Sequence, residues 1–300
     1  MKIAQKVTIN YLRAKLNIIA MVSARQSAAM AFDIFCTPYR KPKRKRPAIF
    51  LTSERLSFEL EGKQVHGYRW NHPRPQKVLI LHGFESTCRN FDRYISQLIK
   101  RDVEVIAFDA PAHGKSGGKR IDLPLYVSTI RQIYHLFGPI NGYIAHSFGG
   151  LALSSFIETI PHEKNDRLVL IAPATETTSS IDSFFTFLHL PASVRREFDK
   201  LILEKGGVPP SHYSIRRAMN QVQARVLWIH DEDDELTPVA DALKVRDDDH
   251  PNIQFEITKG LGHRRIYRDN NVVNQVIDFI APKPVNSEKD VSKKMKPSIG

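Results

Sequence analysis

The stretch that decides the fold is Tyr143-Ile144-Ala145-His146-Ser147-Phe148-Gly149-Gly150-Leu151. An apolar run leads directly into a serine, which is followed by two glycines and a helix-period pattern. A sharp strand-to-helix turn forces its apex residue into a strained backbone and needs small neighbours, because strand and helix pack closely on either side. Ala145 and Gly149 supply those neighbours. The spacing predicts that Ser147 projects its hydroxyl above the carboxyl ends of a parallel sheet, where open α/β sheets place their ligands.

On both sides of this turn the chain alternates strand and helix patterns. Arg55–Glu61 and Lys63–Trp70 alternate apolar and polar residues around Glu61-Gly62, as a hairpin does. The later runs Val78–Leu81, Val103–Phe108, Tyr143–Ala145, Leu168–Ala172, Val226–Ile229 and Ile253–Ile257 are nearly all apolar. Such runs mark strands covered on both faces. Helical patterns fall between them at Phe91–Lys100, Leu125–Phe137, Phe148–Ile160, Val239–Val245 and Val272–Ile280. The expected fold class is therefore α/β, a mostly parallel, doubly wound sheet. The interval 175–223 is too long for a plain crossover and predicts a short helical lid.

Three hundred residues with 42% hydrophobic and 25% charged side chains suit one large globular domain. The net charge of +12 raises the question of nucleic acid, and its distribution answers it. Residues 1–46 carry eleven basic residues against one acid, Asp33, for a net +10, and residues 282–300 add +3. The body, residues 47–281, holds 28 basic and 29 acidic residues, so no nucleic-acid partner is expected.

Within the basic segment, apolar residues recur from Ile3 through Val7, Tyr11, Ala14, Ile18 and Met21, predicting an amphipathic helix. The run Arg40–Arg46 reads as a solvated linker; with the helix it could instead dock on an anionic membrane, or serve as a targeting signal. The Lys-, Ser- and Pro-rich residues 282–300 predict a disordered tail. The same apolar stripe could also pack against the body. Cys36 and Cys88 have neither paired nor metal-ligand spacing, which fits a reducing, cytoplasmic compartment, with or without membrane association. His66, His113 and His189 show no ligand spacing, and no metal or cofactor is expected.

Two further segments follow strands on the same rim of the sheet. His230-Asp231-Glu232-Asp233-Asp234-Glu235-Leu236-Thr237-Pro238 places five consecutive acids after one strand, and for any single one a solvated loop is the default. Lys259-Gly260-Leu261-Gly262-His263-Arg264 places a histidine on a glycine-flexed loop after the next.

With these residues in view, the chain over roughly 55–281 resembles the α/β-hydrolase superfamily. Ser, Asp and His occur in the order that fold uses, each after a strand. Leu81-His82-Gly83-Phe84 resembles the family's His-Gly turn, and Asp109-Ala110-Pro111-Ala112-His113-Gly114-Lys115-Ser116 its D-x-x-G-x-G-x-S loop, with Ala112 in place of the first glycine. The elbow departs too, with Ala145 where G-x-S-x-G has glycine. In the family's acid loop the aspartate precedes proline by four, which selects Asp234; Asp231 and Thr237 depart from the pattern, and Asp233 stays open as a substitute.

The resemblance implies a serine hydrolase in which His263 takes the Ser147 proton, Asp234 orients the imidazole, and the backbone N–H groups of Phe84 and Phe148 receive the oxyanion. A serine, not an aspartate, at the apex argues against dehalogenases and epoxide hydrolases of this fold. The expected substrate is a small-molecule carboxylic ester or thioester, with His146, Phe184, Phe185 and Leu188 as candidate substrate-binding residues. Amide, peptide and C–C bond hydrolysis, acyl transfer and a non-catalytic binding role stay open on the same constellation.

Overall fold

The computed structural model describes residues 3–40 and 45–282. The expectations for residues 41–44 and 283–300 fall outside them. Two helices come first, α1 (Ile3–Val22) and α2 (Ala24–Phe35). The strands are β1 (Glu54–Leu60), β2 (Lys63–Trp70), β3 (Lys77–Leu81), β4 (Glu104–Phe108), β5 (Gly142–His146), β6 (Arg167–Ile171), β7 (Arg225–Asp231) and β8 (Ile253–Thr258). Between and after them run α3 (Asp92–Lys100), α4 (Leu123–Phe137), α5 (Phe148–Ile157), α6 (Thr177–Leu188), α7 (Ala192–Gly206), α8 (Ile215–Met219), α9 (Val239–Asp247), α10 (Gly262–Arg265) and α11 (Asn270–Ile280).

The strands form one sheet in the order β1-β2-β4-β3-β5-β6-β7-β8. β1 and β2 pair antiparallel around Glu61-Gly62, whose φ angles of 48° and 69° are those of a tight hairpin turn. From β4 to β8 all pairings are parallel. Successive side chains along a strand point to opposite faces, so Val78 and Ile80 join the core under α3 and α11, while Leu79 and Leu81 join the core under α4 and α5. This double burial is why these strands read as unbroken apolar runs.

The interval 175–223 contains α6, α7 and α8. It does not cover the sheet alone, because α1 and α2 pack on it. Leu16 of α1 and Ala28 and Ala31 of α2 form a dry cluster with Ile181, Phe185 and Leu188 of α6 and Val194, Phe198 and Ile202 of α7. Small residues let α1 and α2 approach closely, and the buried Ser27 hydroxyl donates to the carbonyl of Leu16 at 2.9 Å. Arg13 Nε donates to the carbonyl of Phe187 at 2.9 Å, and the Ile121 N–H donates to Cys36 at 2.9 Å, tying the hairpin to lid and body.

The apolar face expected on α1 is present, but it is not the face that packs. Val7, Tyr11 and Ile18 are each more than 60% exposed, Met21 and Val22 more than 85%. The inward contact is made by the opposite side of the helix, around Leu16. Among the described residues no helix is long and apolar enough to cross a membrane.

Candidate active site

Ser147 stands between β5 and α5 with φ 54° and ψ −124°, a strained conformation for a residue with a side chain. Its surroundings explain the glycines. A Cβ at Gly149 would lie 2.7 Å from the carbonyl oxygen of His82, one at Gly150 2.7 Å from Cβ of Pro173, and one at Gly83 2.7 Å from Cβ of Ser147 itself. The elbow and the His82-Gly83-Phe84 turn therefore touch backbone to backbone.

The Ser147 hydroxyl donates to Nε2 of His263 at 3.0 Å, and His263 Nδ1–H donates to Oδ2 of Asp234 at 2.8 Å. Asp234 is buried and accepts three further hydrogen bonds, from the N–H of Leu236 at 2.8 Å, the N–H of Thr237 at 2.9 Å and the Thr237 hydroxyl at 2.9 Å. Burial pushes its carboxyl pKa up, but the hydrogen bond and charge of His263, together with these N–H groups, outweigh it and hold the group ionised. The threonine that departs from the family's acid-loop pattern thus has a definite task. Asp233, the alternative in the sequence, points elsewhere and accepts from the N–H of Gly260 at 2.9 Å.

Asp231 is a site residue that the sequence did not single out. Fully buried at the end of β7, it accepts from Gly262 N–H at 2.8 Å, Leu261 N–H at 3.1 Å and the Thr258 hydroxyl at 2.7 Å. It therefore pins the loop that carries His263. Burial raises its pKa, and the hydrogen bonds more than reverse the effect.

The turn at His82 is braced from below. His82 Nδ1–H donates to Gly83 O at 2.8 Å, its Nε2 accepts the Ala110 N–H at 2.9 Å, and Tyr126 donates to its carbonyl at 2.9 Å. His113 Nε2 accepts the N–H of Glu85 at 3.0 Å. The rings of Phe84 and Phe148 lie 6.1 Å apart, which puts the two expected oxyanion residues side by side. His146 is buried with its Nε2 3.1 Å from the carbonyl of His263 and its ring 4.4 Å from Tyr267; burial, then the nearby His263, hold it neutral.

A cavity of about 1550 Å³ opens in front of Ser147, between body and cap. Of the expected substrate-binding residues, His146 and Phe184 line it. Phe185 and Leu188 do not: they share a helix face with Ile181 and are buried in the cap cluster. The cause is the helical period, which aims positions 181, 185 and 188 at α1 and α7 and positions 180, 183, 184 and 187 at the cavity. Phe187 lines the cavity in their stead. Among the described residues no group of three or more His, Cys, Asp or Glu is placed to hold a metal ion.

A strained nucleophile turn, a braced turn opposite it and a mostly parallel eight-stranded sheet define one class, and the chain has the α/β-hydrolase fold. The family described as serine aminopeptidase S33 matches residues 72–202. A probable serine hydrolase of Drosophila melanogaster is 25% identical over 189 residues, covering 56% of this chain and 57% of that protein. The chain thus matches little more than half the length of that curated relative. An esterase from Pyrococcus furiosus shares the fold at a TM-score of 0.60 with 20% identity, over 82% of this chain and 97% of that one. The mouse alpha/beta hydrolase domain-containing protein 10 does so at 0.57 with 17% identity, over 81% and 100%.

Proposed function

We propose that the protein is a serine hydrolase that cleaves a carboxylic ester or thioester through an acyl-enzyme. The observation that carries this is the continuous hydrogen-bonded series Ser147, His263, Asp234, with the serine facing an apolar cavity. A hydroxyl is a weak nucleophile at neutral pH, and here its proton has an acceptor at 3.0 Å. As Ser147 Oγ attacks the carbonyl carbon, its proton passes to His263 Nε2. Asp234 holds the Nδ1–H tautomer and stabilises the imidazolium.

The tetrahedral oxyanion is received by the N–H groups of Phe84 and Phe148. Their turns are fixed before the reaction begins, so little reorganisation is needed as charge develops. The C–O or C–S bond then breaks and the leaving group takes the proton from His263. Water repeats the sequence: it gives its proton to His263, attacks the acyl carbon and releases the carboxylic acid, while Ser147 regains its proton. Aromatic and aliphatic side chains, among them Phe84, Phe148, Leu151 and Phe184, line the acyl side and favour an apolar acyl group.

A fluorophosphonate probe tests the reading: it should label Ser147, and Ser147→Ala should neither label nor hydrolyse p-nitrophenyl esters. Labelling elsewhere, or an active Ser147→Ala protein, would refute it.

A further inference from the structure

The matched family region begins at residue 72, yet a wall of the cavity is built well before it. Phe32, Ile34, Phe35, Cys36 and Thr37, from the end of α2 and the residues after it, all line the cavity in front of Ser147. Phe35 packs its ring edge-on against Phe184 of α6 at 5.2 Å and against Phe198 of α7 at 5.9 Å, so hairpin and lid form one continuous surface. Cys36 adds a buried thiol whose pKa burial pushes up to about 12, so it presents a neutral, weakly polar group.

The wall is fixed in place. The Ser23 hydroxyl caps the start of α2 by accepting the N–H of Gln26 at 3.2 Å, Cys36 accepts the N–H of Ile121 from the body, and the Arg40 N–H donates to Glu85 at 3.0 Å, beside the turn at Phe84.

We infer that α2 is the acyl-chain wall of the active site, and that the acyl group is a long aliphatic chain. This rests on the serine-hydrolase reading and adds the substrate class and the residues that select it. The volume supports it: about 1550 Å³ exceeds the roughly 300–1,000 Å³ usual for a small-molecule cleft. An acyl chain long enough to reach Phe32, Ile34 and Phe35 would take their surface out of water, and a short one would not. Each methylene so buried is worth roughly fourfold in kcat/KM, so a dodecanoyl ester is the probe for this wall and a butyryl ester its short reference.

The experiment compares p-nitrophenyl dodecanoate with p-nitrophenyl butyrate, using full-length wild type, Ile34→Trp and Thr37→Trp. Both substitutions fill the cavity and open no hole in the cap; both positions are half-buried, but Ile34 packs against the cap cluster and Thr37 does not, so Thr37→Trp keeps the test open should Ile34→Trp fail to fold. The wild-type ratio of kcat/KM, dodecanoate over butyrate, should exceed ten, and each tryptophan should lower it about tenfold. A wild type that prefers butyrate, or a ratio within threefold of wild type in both variants, overturns the inference. Fluorophosphonate labelling of wild-type Ser147 keeps the two ideas apart: labelling with an unchanged ratio removes only the α2 wall, whereas no labelling removes the hydrolase itself.

Discussion

Replacing Ser147 by glycine should abolish activity and at the same time stabilise the protein. With φ at 54° and ψ at −124°, Ser147 occupies a region that a side chain enters at a cost on the order of 1–3 kcal/mol. Glycine adopts it without that penalty but loses about 0.5–1 kcal/mol through the greater freedom of the unfolded chain. The net gain is about 1 kcal/mol, or roughly 2–4 °C in Tm for a chain of this size. The proper reference is Ser147→Ala, which loses the same hydroxyl and the same hydrogen bond to His263 but keeps the strained Cβ. Both variants should lose about 10⁶-fold in kcat, since removing a nucleophile leaves only binding and oxyanion stabilisation. Differential scanning calorimetry of the pair isolates the backbone contribution. A glycine variant that melts at or below the alanine variant would show that the elbow stores no strain, and the account of its geometry would fail.

Other expectations follow from single contacts. Asp234→Asn should lower kcat by ~10³–10⁴ through the wrong imidazole tautomer, whereas Asp233→Asn should stay near wild type; steady-state kinetics with the order reversed would refute the assignment. His82, His146 and His230 are buried and held below the ordinary imidazole pKa chiefly by desolvation. The unfolded chain protonates them near pH 6.5 and the folded one does not, so stability should fall on acidification below that pH, by up to ~1.4 kcal/mol per histidine per pH unit. The lowered carboxyls Asp231 and Asp234 act in the opposite range: their contribution is complete above about pH 4 and disappears only below it, so a Tm flat between pH 7.5 and 5.5 would contradict the histidine argument. Leu16→Ala should destabilise the protein by ~2–5 kcal/mol in thermal or urea unfolding, and an unchanged transition would mean that α1 does not belong to the folded unit. Finally, we propose that the outward row Val7, Tyr11, Ile18, Met21 and Val22, on a segment of net charge +10, docks on anionic lipid. The full-length protein should sediment with phosphatidylserine vesicles and leave them as salt rises, and Ile18→Asp with Met21→Asp should abolish this; sedimentation unaffected by the pair would refute it.

What could be read from the sequence was whatever local chemistry dictates. The elbow was legible because a strand, a serine and two glycines leave one geometry, and Asp234 because its distance to Pro238 survives two substitutions. Asp231 was not, since its role depends on the register that sets it opposite Thr258 on β8, information carried by strand pairing and not by neighbours in the chain. The start of α2 does carry a local signal: Ser23-Ala24-Arg25-Gln26 has the form of a helix-start capping box, and Ser23 caps the helix. The orientation of α1 was undecidable locally. Leu12, Leu16 and Ile19 make a second apolar row on the opposite side, and which row turns inward depends on a lid that lies far along the chain. Phe185 and Leu188 were misplaced for the same reason, because composition shows that a helix is aromatic without showing what its faces meet.

The composite cap also sets an order of events during synthesis. Some 140 residues of chain separate the end of α2 from the start of α6. At ~5–20 residues per second, the first two helices leave the ribosome about 7–30 s before their partners exist. For that interval Leu16, Ala28 and Ala31 have no dry surface to meet, while β1 to β6 can already assemble from shorter-range pairings. α1 and α2 are therefore made well before α6 and α7 and are among the last parts to acquire their native surroundings. A nascent chain in this state presents apolar helix on both sides, one row awaiting α6 and α7 and the other remaining outward in the finished protein.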